Sequence, residues 1–193
     1  RLGIDKVYGL LLHNTHQLLG VNGSKLAAAL KTIRKNGLAQ KIGLSIYSPD
    51  ELDACYGVLQ PDLVQAPLNL VDRRLISSGW LRRLSNSGVE IHTRSSFLQG
   101  LLLMSPAQIP AKFRSWSWIW ERWQIWLSMH PERALSACLS YPLSYKEVSK
   151  VIVGVDKPSQ FSEIVRVEGN LIPVEELPDL TCQDELLVNP SKW

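Results

Sequence analysis

The feature that most constrains this chain is a regular alternation of short, unbroken apolar runs with stretches of helical periodicity. Val7 to Leu12 (VYGLLL) is an almost continuous apolar run, the pattern of a strand covered on both faces. A helix follows over Leu26 to Leu38, with Leu26, Leu30 and Ile33 at helical intervals and Asn36-Gly37 as its stop. Lys41 to Ile46 (KIGLSI) is the next strand. Ser48-Pro49-Asp50-Glu51 then opens a helix, with serine as N-cap, proline at the first position and glutamate at the third. The same alternation predicts strands at Leu63–Leu68, Val89–Thr93 and Val151–Val155. Helices are expected at Leu75–Ser87, ending at Gly88, then through Trp116–Met129 and Pro131–Tyr141, with a last one over Ser159–Val167.

Buried strands linked through helices pair in parallel by right-handed crossovers. A doubly wound sheet and a piece of a TIM (β/α)8 barrel both satisfy this order. No GxGxxG follows the first strand, which weighs against the doubly wound dinucleotide fold. Polar residues recur at the C-terminal end of each strand: His13, Ser45, Gln65, Arg94-Ser95 and Gly154. In a barrel those ends meet on one face, where active sites are built.

Several partner classes are excluded or disfavoured. A formal charge of +3 and isolated basic pairs give no basis for nucleic-acid binding. No apolar stretch approaches the roughly 20 residues of a membrane span, and no secretory leader pattern is visible at the start. Cys55, Cys138 and Cys182 form no CxxC pair. Cys55 and Cys138 fall in apolar helical patterns, which suits buried free thiols and a cytoplasmic location. No metal site is expected.

Five segments carry a resemblance to a known family. Leu2–Asn14 (LGIDKVYGLLLHN), Ala39–Ser48 (AQKIGLSIYS), Pro61–Arg74 (PDLVQAPLNLVDRR), Gly88–Leu102 (GVEIHTRSSFLQGLL) and Val151–Glu163 (VIVGVDKPSQFSE) resemble, in order, successive strands of the aldo-keto reductases. The resemblance implies a partial (β/α)8 barrel, strands four to eight, over residues 1–168, with residues 169–193 as a surface tail. In that tail, Val174–Leu177 is expected to form at most a short helical turn.

By the same resemblance, His13 is the catalytic histidine that binds the substrate carbonyl. Ser45 and Gln65 hold the nicotinamide carboxamide. Phe97, Leu98, Gln99 and Gly100 lie along the pyrophosphate, Lys157, Ser159 and Gln160 fall near the adenosine and the 2′-phosphate, and Ser95 and Gly154, at their strand ends, are further cofactor-binding residues. NADPH is the implied cofactor, with NADH as the alternative, since Gln160 stands at the family's usual arginine position. Two further departures are visible. Ser45 is followed by Ile46 rather than asparagine, and Arg94 replaces a stacking aromatic, where a guanidinium plane can lie against a ring or pair with the pyrophosphate.

The family's aspartate, tyrosine and lysine have no counterpart here: Tyr8, Tyr47 and Tyr56 do not match the tyrosine position. The abrupt entry from Arg1 into a strand, together with this gap, leads to the expectation that strands one to three lie elsewhere. The missing half of the barrel or a second copy would then cover the open edges. The expected function is NADPH-dependent reduction of aldehydes or ketones by the completed protein, with the fragment alone inactive. A sugar-modifying oxidoreductase fits the same pattern. The rival from another class is a non-catalytic nucleotide-binding barrel acting as sensor or scaffold. Two side groups complete the reading. His92, in mid-strand, is structural. Among the crowded tryptophans, Trp116, Trp120 and Trp123 share a helical face, while Trp118 points nearly opposite, toward a pocket or an interface.

Overall fold

The computed structural model describes residues 3–167 and 169–193. Arg1 and Leu2, which open the first resembling segment, and Glu168, the last residue of the expected barrel part, lie outside the described residues. Strands β1 (Val7–Leu12), β2 (Ala39–Ser45), β3 (Leu63–Pro67), β4 (Glu90–Arg94) and β5 (Lys150–Val151) form one sheet in the order β1-β2-β3-β4-β5. β1 with β2 and β2 with β3 are parallel, with Leu12 beside Leu44 and Ser45 beside Gln65. Glu90 N donates to Asp62 O and Leu68 N to Arg94 O, so β3 and β4 also run together. The expected order and direction of the strands are borne out.

The chain divides into two compact units, Arg1–Pro67 with Arg74–His92, and Leu68–Arg73 with Thr93–Trp193. In the first unit, α1 (Gly23–Lys35) ends at Gly37, whose φ of +74° lets Leu38 N reach back to Ile33 O. Glycine is needed there because a side chain at positive φ is strained. α2 (Asp50–Cys55) starts one residue later than expected, with Pro49 rather than Ser48 at the N-cap, but the glutamate reaches back as expected: Glu51 Oε1 accepts from Ser48 N at 3.0 Å and from Tyr47 N at 2.6 Å. Ile42, Leu44, Leu52, Leu63 and Leu84 are almost completely buried and make the core of this unit.

The helix expected over Leu75–Ser87 is instead two, α3 (Arg74–Ser77) and α4 (Trp80–Asn86). Gly79 between them takes φ +80°, which no α-helix contains. The apolar periodicity runs through the break and hides it.

In the second unit, α5 (Ser117–Met129) follows a 3-10 stretch over Ala111–Trp116. Trp120, Trp123 and Trp126 are buried on α5, and each indole N–H donates to a backbone carbonyl: Phe113, Leu102 and Glu176 respectively. Trp118 is 43% exposed, as its position opposite implied. Trp116 precedes the helix and is half-buried. α6 (Ala134–Leu143) starts later than Pro131, because Glu132 adopts φ +61° and interrupts helical geometry. The fifth strand is shorter than VIVGV. Its ladder ends where Ile152 N meets Thr93 O at 2.7 Å, since β4 turns away after Arg94 and offers nothing further to pair with. Gly154 therefore lies beyond the strand, exposed, in the link to α7 (Pro158–Val167). The final residues include a 3-10 turn at Val174–Glu176, a short α8 (Glu185–Val188) and a 3-10 turn at Pro190–Lys192, with Ile172, Leu180, Leu187 and Val188 buried. Cys55 and Cys138 are buried free thiols, and Cys182 is half-buried.

Candidate active site

In the first unit, parallel register brings three of the expected residues to one level. Paired residues of neighbouring parallel strands point to the same face, so Ser45 and Gln65 project together. His13 follows Leu12, the partner of Leu44, and so stands level with Ser45. His13 is exposed, Gln65 half-buried and Ser45 buried. The imidazole meets the edge of Tyr47, with ring centroids 6.1 Å apart at 80°. Tyr47 is held by its backbone, its N–H donating to Glu51 and its carbonyl accepting from Arg74 Nη2 at 2.9 Å. Thr15 Oγ1 also donates to Glu51. Hydrophobic spacing carries no sign of this anchoring.

Toward the N-terminal ends of β1, β2 and β4, at the opposite end of the sheet, lies a charged cluster. Glu90 accepts hydrogen bonds from Tyr8 Oη at 2.5 Å, from Lys41 Nζ, and shares one with His92 Nε2 at 2.5 Å. Burial pushes the Glu90 carboxyl upward, but the bonds from Lys41, Tyr8 and His92 outweigh it and hold the pKa at about 2. Lys41 is raised in turn, chiefly by its bond to Glu90. His92 is thus buried and partnered, which fits the structural role expected for it.

In the second unit, β4 leads into a tight loop. Arg94 Nη1 donates to Ser95 Oγ at 3.1 Å. Ser95, Leu98, Gln99 and Gly100 have φ of +63°, +46°, +54° and +88°, a conformation that costs non-glycine residues energy. Leu98 is fully buried, whereas Phe97 is half-buried and Gln99 exposed. The N–H groups of Ser96, Phe97 and Gln99 have no hydrogen-bond partner among the described residues. Asn69, missed by the sequence reading, is buried and donates from Nδ2 to Ser95 O at 3.0 Å. Its signal was present in Asn69-Leu70-Val71-Asp72, the spacing of a side-chain-capped turn. Thr93 Oγ1 and Ser96 Oγ are buried hydroxyls without a partner among the described residues.

At the start of α7, Lys157 is exposed. Gln160 folds back so that its Oε1 accepts from Asp156 N at 2.7 Å and Lys157 N at 3.1 Å. The Gln160 carbonyl is thereby committed to capping the helix, and its amide NH2 is the group that remains to donate to a ligand. No group of metal-ligating side chains occurs among the described residues, and no helix there is long and apolar enough to cross a membrane.

A sequence profile of the aldo/keto reductase family matches residues 1–181. The chain belongs to the aldo/keto reductase family. Its fold is similar to an apo-form aldo-keto reductase from Bacillus halodurans, with a TM-score of 0.69 at 18% identity, over 89% of this chain and 60% of that one. The holo form of that reductase aligns at 0.67, with 18% identity, covering 89% and 59%. A glycerol dehydrogenase from Gluconobacter oxydans aligns at 0.66, with 18% identity, covering 91% and 57%. This aldo/keto reductase chain therefore spans about 60% of the length of those solved relatives. No curated protein sequence matches it. The partial-barrel reading of the sheet is in accord with these neighbours.

Proposed function

We propose that this chain supplies the substrate-carbonyl histidine and much of the nucleotide site of an NADPH-dependent reductase of aldehydes or ketones. The observation that carries the proposal is the common level of His13, Ser45 and Gln65 at the C-terminal ends of adjacent parallel strands. The donor chemistry fits the cofactor. A hydroxyl and a primary amide side by side suit a carboxamide, unpaired backbone N–H groups suit a pyrophosphate, and an exposed ammonium at Lys157 suits a 2′-phosphate.

Bound NADPH supplies a hydride to a carbonyl carbon. Ser45 Oγ and Gln65 hydrogen-bond the carboxamide and orient the ring. His13 donates a hydrogen bond to the carbonyl oxygen and draws electron density from the carbon, stabilising the charge that develops there. Ile46 cannot add the amide contact that an asparagine would, so orientation rests more heavily on Ser45 and Gln65. In the second unit, the amides of Ser96, Phe97 and Gln99 would hold the pyrophosphate, Arg94 would serve the ring or the phosphate, and Lys157 with the Gln160 amide would recognise the adenosine end. The proton donor of the family, a tyrosine, has no match in these residues. A complementary segment or a second copy completes the site.

Titration of the purified chain with NADPH and NADH, followed by tryptophan fluorescence or calorimetry, tests the reading. Saturable binding that favours NADPH is expected. Absence of binding to both dinucleotides would overturn it.

A further inference from the structure

We propose that Asn69 is a positioning residue for the nucleotide: its side-chain amide holds the loop of residues 95–100 in the form that presents backbone N–H groups to a pyrophosphate. The inference rests on the nucleotide-binding reading above and adds to it the residue that organises the phosphate loop.

The Asn69 side chain has no freedom of its own. It is fully buried, and Oδ1 accepts from Val71 N at 2.9 Å and Asp72 N at 2.8 Å. Its backbone N–H donates to Asp72 O at 3.1 Å, closing the turn. With the oxygen pinned twice, Nδ2 is directed at Ser95 O. That carbonyl also accepts from Leu98 N at 2.8 Å, so it is the point on which the loop folds back. Ser95, Leu98 and Gln99 are non-glycine residues at positive φ, a strained conformation that persists only where the surrounding structure over-determines it. Asn69 provides that constraint from a rigid turn, so the loop is ordered before a ligand arrives. Pre-ordering of this kind lowers the cost of binding. A leucine in the same volume would fill the space but leave Ser95 O with one partner fewer.

Asn69→Asp keeps the two acceptor bonds at Oδ1 and removes the Nδ2 donor. Asn69→Ser keeps a turn-capping hydroxyl but is too short to reach Ser95, and it brings no charge. The full chain and both variants are titrated with NADPH and with adenosine 2′-phosphate, which lacks a pyrophosphate, alongside thermal melts. The expected result is about tenfold weaker NADPH binding in the variants, as for loss of roughly one oriented hydrogen bond, with adenosine 2′-phosphate binding within twofold of the parent. If Asn69→Asp does not fold, Asn69→Ser decides. Folded variants that bind NADPH as tightly as the parent overturn the proposal, as does equal weakening of both probes or failure of both variants to fold. If the parent chain binds no NADPH, the nucleotide-binding reading itself falls, and this inference with it.

Discussion

Ser45 and Gln65 are register partners on adjacent parallel strands, so their side chains project from the same face at the same height. They form a hydroxyl–amide pair whose geometry is fixed by ladder hydrogen bonds rather than by flexible loops. Ser45→Ala and Gln65→Ala should each weaken NADPH binding several-fold, in line with about 1 kcal/mol per hydrogen bond lost. Because the two groups share one ligand and are neighbours, the double variant should lose less than the sum. Strict additivity in a titration would count against a shared carboxamide.

The Glu90 cluster makes a prediction about pH. Its carboxyl titrates near 2 in the folded chain, against an ordinary value of 4.5. A lowered folded pKa means that the stabilisation is fully present above about 4.5 and is lost as pH falls toward 2. Glu90→Gln should lower stability at neutral pH by about 1.5–3 kcal/mol, the range for hydrogen bonds to a charged group. It should also flatten the acid limb between those two values. Urea unfolding of both proteins at pH 6 and pH 3 checks this, and parallel acid limbs would contradict it.

Gly43 and Gly79 are required for different reasons, and alanine separates them. A Cβ at Gly43 would lie 2.0 Å from Leu63 O, inside the β2–β3 ladder. At Gly79 it would meet nothing within 4 Å, and only the φ of +80° opposes it. Gly79→Ala should therefore cost about 1 kcal/mol. Gly43→Ala should cost about 3 kcal/mol or more, because backbone must move. Denaturation midpoints give the ranking, and equal costs would refute the steric account.

The 193-residue chain alone should not reduce carbonyls. His13 is proposed to hold the substrate carbonyl, but no residue here matches the family's tyrosine, and loss of a proton-transfer group typically costs ~10²–10⁴-fold. An NADPH-oxidation assay with a simple aldehyde, on chain of verified 21.7 kDa mass, checks this. Robust turnover would mean that the proton donor lies within these residues.

The sequence by itself determined the strand–helix order, four of the five strands to within two residues at either end, the reach-back of Glu51 and the family. Those properties are local: apolar periodicity, capping chemistry and turn glycines act over a few residues. Periodicity says nothing about where a helix is cut by a positive φ, as at Gly79 and Glu132, or where a strand runs out of partner, as after Val151. The support of the candidate site, and the charged cluster at the other end of the strands, were decided by tertiary structure alone. Asn69 meets Ser95 across 26 positions of sequence, and Glu90 gathers Tyr8, Lys41 and His92 from three strands. Such contacts depend on the register and twist of strands far apart in the chain, which no single segment encodes.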